Sequence, residues 1–186
     1  MSSPPSRVQV RDAVPADYDD IARITVSSYV AAGHMDSPDH PYLRQIAQVA
    51  RRHEATPVWV AEREGRVVGS VTLARHGNPY ADIARGNELE FRMLVVDPGL
   101  QRSGAGRALV EAVIGHARAL EGVDTVCLTT GTTWEAAQSL YRALGFQRAP
   151  ERDWYVPGTD ILLFVFELPL EEDPRGGDAG PGAGTN

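Results

Sequence analysis

The sequence predicts one α/β domain of the α+β kind, with seven strands and four helices in the order β-α-α-β-β-β-α-β-α-β-β. Three observations carry that expectation. Apolar residues switch repeatedly between alternation along a strand and the i, i+3, i+4 spacing of a helix. Several β-rich runs follow one another across short turns, which makes local hairpins. A chain of 186 residues, 42% of them hydrophobic, has the length and composition of one soluble unit with a sizeable core. That unit is expected over residues 7–170. The Ser/Pro-rich residues 1–6 are expected to fray. The Gly-, Pro- and acid-rich stretch 171–186 has no large apolar residue and is expected to be disordered.

Val8 and Val10 alternate with polar residues as a short first strand. Tyr18, Ile21, Ala22, Thr25, Val26 and Tyr29 have helical spacing, in a helix starting near Pro15. Ser37-Pro38 predicts the start of a second helix, with Leu43, Ile46, Ala47 and Ala50 on one face. "PVWVAER" and "RVVGSVTLAR" read as a hairpin about Glu64-Gly65, and "ELEFRMLVV" as the next strand. Ala105, Ala108, Leu109, Ala112, Val113, His116, Ala117 and Leu120 then make the clearest helical face, closed by Gly122. "DTVCLTT" is strand-like. Thr132 and Glu135 have the spacing of a capping box for a helix carrying Ala137, Leu140, Tyr141 and Leu144, stopped at Gly145. "DWYVPG" and "ILLFVFELPL" supply the last two strands.

Composition narrows the function. The net charge of −7 argues against broad contacts with a nucleic-acid backbone and favours a cationic small substrate over an anionic one. No apolar run approaches the roughly 20 residues of a membrane helix, and the first residues lack a signal-peptide core, so a cytoplasmic protein is expected. The single cysteine, Cys127, fits a reducing compartment and reads as a buried small hydrophobe. The five histidines are scattered and no cluster has metal-ligand spacing, so no metal is expected. No G-x-S-x-G elbow marks a serine nucleophile.

Chemistry concentrates in "LVVDPGLQRSGAGRALV", where a strand hands over to a helix through a turn with two glycines and two arginines. The first amides of a helix lack intrahelical partners and carry partial positive charge. Glycines at 104 and 106 open the backbone to an anion, and Arg102 and Arg107 can add charge-assisted bonds; a pyrophosphate fits such a turn. The structural alternative is two glycines easing a tight connection. A dinucleotide fingerprint fails because Leu109 stands where a third small residue belongs and Thr129-Thr130 where an acid belongs. A P-loop fails for want of Gly-Lys-Ser/Thr.

Gln101 to Gly106 fits the pattern Q/R-x-x-G-x-G/A. With the preceding "LVVDP" and the later "LYRALGF", about forty residues on, it resembles the GNAT superfamily of acyl-CoA-dependent N-acetyltransferases across nearly all of 7–170. The resemblance implies a mixed, mostly antiparallel sheet whose central parallel pair splays apart around the pantetheine arm of acetyl-CoA. Leu94, Val95 and Val96 would hold that arm and the thioester carbonyl. Gln101, Arg102, Ser103, Gly104, Ala105, Gly106 and Arg107 would hold the pyrophosphate. Tyr141 matches the tyrosine that protonates the leaving thiolate, although its helical stripe reads equally as core. Glu90 matches the position of a catalytic glutamate in some members, as base or amine-orienting group, or else as a solvated strand charge beside Arg92. Where many members have asparagine seven residues before the tyrosine, this chain has Trp134, which could pack on the pantetheine or simply fill space.

The expected activity is acetyl transfer from acetyl-CoA to a primary amine of a small molecule or protein. A non-catalytic acyl-CoA-binding or regulatory module and a nucleotide-phosphate enzyme are the alternatives. Loop residues His34, Asp36, Tyr80, Trp154 and Tyr155 are the expected substrate lining. Homodimers are common among similar proteins.

Overall fold

The computed structural model describes residues 7–33, 37–100 and 102–170; the expected frayed start and disordered tail lie outside the described residues. β1 (Gln9–Asp12) leads through a 3₁₀ turn into α1 (Tyr18–Ala31), α2 (Pro41–Ile46) and α3 (Val49–Ala55). β2 (Val58–Arg63), β3 (Arg66–Arg75) and β4 (Glu88–Val96) follow, then α4 (Ala105–Ala119), β5 (Thr125–Gly131) and α5 (Glu135–Ala143). β6 (Gln147–Arg148), β7 (Trp154–Tyr155) and β8 (Leu162–Pro169) end the fold.

The strands form one sheet in the order β1-β2-β3-β4-β5-β8-β6, with β7 also paired to β8. Every pair is antiparallel except β4 with β5. The sheet thus has eight strands among the described residues, one more than expected. The extra one is the two-residue β6, too short to show a period in sequence. The β2–β3 turn puts Glu64 and Gly65 both at positive φ, the geometry of a tight two-residue hairpin.

Helices cover both faces, and β3 is buried without interruption from Val67 to Ala74. On one face Leu109, Val113 and Ala117 of α4 and Tyr141 of α5 pack with Leu73, Leu89, Phe91 and Phe166. On the other, Ile21 and Ile24 of α1 and Val49 of α3 meet Val58, Val60, Val67 and Val95. Among the described residues no helix is long and apolar enough to cross a membrane.

Two local expectations are corrected. The second expected helix starts at Pro41, not Pro38, and breaks after Ile46. The break changes its phase, so Val49 is buried and Ala50 exposed. The Ile46 carbonyl released there accepts from the buried Arg52 guanidinium. The expected capping box also fails. Trp134 is the N-cap of α5 with no side-chain cap bond. Gln138 instead donates to the carbonyls of Gly131 (2.9 Å) and Thr132 (3.1 Å), tying the helix to the end of β5.

Candidate active site

The site is organised by two irregularities in β4. The first is a bulge. Ser70 pairs with Val95 and Thr72 with Arg92, so Met93 and Leu94 together face the single residue Val71. Met93 takes a φ of +51°, left-handed backbone that is costly for a residue with a side chain. The second is a split. The ladder between β4 and β5 covers only Glu88–Glu90 against Thr125–Cys127, although the strands run on to Val96 and Gly131. Leu94, Val95 and Val96 therefore border a gap on the β5 side. The hydroxyl of Thr130, on the stretch of β5 that does not pair with β4, is buried without a hydrogen-bond partner.

One end of the gap meets the glycine turn. Arg102 (φ +67°) and Gly104 (φ +85°) are both left-handed, two residues apart, a backbone pattern suited to an anion-binding turn. Gly104 is the N-cap of the 15-residue α4 and makes no side-chain cap bond, so the first amides of the helix remain for an external acceptor. The Ser103 hydroxyl is buried without a partner there. A Cβ on Gly106 would make only ordinary contacts with Val96 and Leu140 (3.5 and 3.6 Å), so packing does not demand that glycine. A buried orphan hydroxyl, uncapped amides and a glycine unneeded for packing together fit a bound diphosphate. Arg102 is exposed; Arg107 reaches Glu111 at 3.1 Å. Ser103 and Gly104 also line a groove of about 500 Å³ with Arg7 and Arg63. Gln101 lies outside the described residues.

α5 seats Tyr141 in the core beside Phe91, Phe146 and Phe166, with ring centroids 5.8 to 6.1 Å apart. Burial pushes its phenol well above the ordinary value of 10, so it keeps its proton at neutral pH. Trp134 packs against Gly131 at the end of β5. A Cβ on Gly131 would come within 2.5 Å of the indole, and the ring meets Tyr29 of α1 edge-on at 6.0 Å.

Glu90 is completely buried, and its Oε2 accepts from the amides of Asp82 (2.9 Å), Ile83 (2.9 Å) and Ala84 (3.0 Å). Its Oε1 has no hydrogen bond and lies 3.7 Å from Arg92 Nε. Burial raises its pKa, opposed by the loop amides and Arg92. Such a carboxylate is neither a solvated strand charge nor open to a substrate amine; it holds the preceding loop in place. Arg92 donates to the Tyr80 carbonyl (2.6 Å) and pairs with Asp82 (2.6 Å). Glu88, on the same strand face, pairs instead with Arg152 (2.8 Å).

On the far side of the bulge from the glycine turn is a cavity of about 450 Å³, lined by Tyr42, Gln45, Tyr80, Asp82, Arg92 and Met93 among others. Tyr80 lines this cavity. His34 and Asp36 lie outside the described residues. Trp154 and Tyr155 are on β7, against the start of β8, and line neither cavity; Tyr155 is 62% exposed. Sequence reasoning missed Tyr42, Asp82, Arg52 and Met93. Asp82 lies two residues after Tyr80, but its pairing with Arg92 carries no local signal.

The profile of the acetyltransferase (GNAT) family matches residues 18–146. Human N-acetyltransferase 8 is 34% identical over 115 residues, covering 60% of this chain and 49% of that protein. The mycothiol acetyltransferase of Cellulomonas flavigena is 34% identical over 161 residues, covering 82% and 44%. The N-acetylaspartate synthetase of Danio rerio is 30% identical over 138 residues, covering 74% and 46%. The chain thus spans about half the length of these curated relatives. An acetyltransferase from Salmonella typhimurium, solved with its cofactor acetyl-CoA, superposes with a TM-score of 0.66 at 23% identity, covering 96% of this chain and 99% of that one. With the split central pair, the uncapped turn and a family profile spanning most of the described fold, the chain belongs to the acetyltransferase (GNAT) family.

Proposed function

We propose that the protein transfers the acetyl group of acetyl-CoA to a primary amine by direct attack, with both substrates bound together. The observation that carries this reading is the early end of the β4–β5 ladder at Glu90 and Cys127, which leaves strand edges for a pantetheine arm to pair with as an added strand would. Leu94, Val95 and Val96 hold the arm. The turn from Gln101 to Arg107 holds the diphosphate, with Arg102 and Arg107 adding charge.

Acetyl-CoA supplies the thioester, whose C–S bond breaks as the amine nitrogen forms the new C–N bond. The Leu94 amide, on the bulge, donates to the carbonyl oxygen as negative charge gathers there. Tyr141, protonated at neutral pH, gives its proton to the departing sulfur and recovers one from the nitrogen that has formed the amide. An alkyl ammonium has a pKa near 10 and must lose a proton before it can attack. Asp82 lines the adjoining cavity, and burial raises its pKa against the pull of Arg92, so its carboxylate seats the ammonium and takes up that proton. Glu90 serves from behind, as a positioning residue that fixes the Asp82–Ala84 backbone.

The test is calorimetric titration with acetyl-CoA, beside mass spectrometry of a mixed amine and peptide panel incubated with it. Binding together with any acetylated amine supports the reading. Binding with a blank panel supports a non-catalytic acyl-CoA module, and loss of both overturns the site.

A further inference from the structure

Behind the wall of the cavity beside the bulge lies a charge that no described residue neutralises. Arg52 of α3 is 2% exposed, and no carboxylate lies within ion-pair distance of it among the described residues. Its Nη1 donates to the Ile46 carbonyl and to the Met93 thioether, 3.1 Å away, and its Nε has no acceptor. Ile46 and Met93 both line the cavity, so the guanidinium sits directly behind its wall.

A thioether is a weak acceptor, and an unpaired buried guanidinium is among the most costly groups a fold can retain. Met93 is also the residue held at positive φ by the bulge. A strained residue and an under-satisfied cation thus coincide at one wall, as expected where a ligand completes the contacts. Burial, together with nearby Arg92, lowers the Arg52 pKa, and the groups that oppose this are the phenols of Tyr80, Tyr29 and Tyr42. Of the residues lining the cavity, Arg51 and Arg92 are cationic and Asp82 alone is acidic. The net charge of −7, which favours a cationic acceptor, does not extend to this pocket.

Resting on the acetyl-transfer reading, we infer that the acceptor is a small amine that also carries a carboxylate, of the α-amino-acid class, with its ammonium at Asp82 and its carboxylate at Arg52. A guanidinium offers two parallel donors to a carboxylate, and displacing the Met93 sulfur gives Arg52 the acceptor it lacks. A cavity of about 450 Å³ suits such a molecule. The amino terminus of a protein has no carboxylate beside its amine and would leave Arg52 unpaired.

The experiment compares free L-amino acids with the matching amino-acid amides, on wild type and on Arg52→Gln. Turnover is read with acetyl-CoA, and binding by calorimetry on the CoA-loaded protein. Wild type should favour the acids, and Arg52→Gln should lower the acid-to-amide ratio by about 10- to 100-fold, the range for losing a hydrogen bond to a charged group. Met93→Leu, which keeps the arginine, should preserve the preference even if Arg52→Gln does not fold. Arg52-dependent binding of acids without acetylation would support the carboxylate site and sink acetyl transfer. Equal acetylation of acids and amides, or a ratio unchanged in Arg52→Gln, would overturn the carboxylate site and leave acetyl transfer standing. Neither binding nor turnover of the acids would overturn it as well.

Discussion

At the proposed phosphate end of the cleft one short stretch of chain, Arg102 to Arg107, would supply the donors, backbone amides set by two left-handed residues and an uncapped helix. At the proposed acceptor end the wall is assembled from side chains of α2, α3, β4 and the loop before β4, with Arg52 of α3 behind. Backbone donors are nearly independent of side-chain identity and belong to a local motif. Side-chain walls depend on which residues the fold brings together. The comparison teaches that one half of such a site can be general and the other particular, because they are made of different groups.

Substitutions can break or sharpen this contrast. The largest effect is expected at Tyr141: Tyr141→Phe should lower kcat about 10³-fold with little change in the KM for acetyl-CoA, followed by thiol release. Asp82→Asn comes next. It should cut kcat/KM for the amine about 10²-fold and remove the acid limb of the pH–rate profile, leaving acetyl-CoA binding intact by calorimetry. Should Asp82→Asn weaken acetyl-CoA binding instead, the two ends are not separable.

Gly104→Ala tests the backbone end alone. A Cβ there meets nothing within 4 Å, so its cost lies in the φ of +85°. A strain of about 1–2 kcal/mol should weaken acetyl-CoA binding about tenfold and leave the amine KM unchanged. The smallest effect is expected at Glu90. Its folded pKa is raised above the ordinary 4.5, so its protonated form stabilises the fold below that value. That contribution is lost as pH rises through the raised pKa. Glu90→Gln should therefore melt like wild type in acid and gain on it toward neutral pH, on the order of 2 °C by calorimetry. A constant difference across pH would remove burial as the dominant influence on this carboxylate.

The turn that opens α4 was legible because its signals are local: glycines, a strand end and a helix start within seventeen residues. The proposed role of Tyr141 rests on an equally local signal, "LYRALGF". Helix boundaries were less so. The break after Ile46 depends on Arg52 reaching back to a carbonyl, and the start of α5 on Gln138 replacing the cap that Thr132 would have made. Glu90 was found by position, but its burial under three loop amides was not. Trp154 and Tyr155 read as lining residues because they are aromatic and near a turn. Pairing to β8 places them away from both cavities.

The sequence by itself determined the alternation of strands and helices, the hairpin at Glu64-Gly65 and the turn that opens α4, because period and turn chemistry act over a few residues. The tertiary structure alone decided the bulge at Met93, the split beyond Glu90, the pairing of Asp82 with Arg92 and the seating of Arg52 against Met93. Each of those depends on residues tens of positions apart becoming neighbours, and on whether burial leaves a charge with a partner or without one.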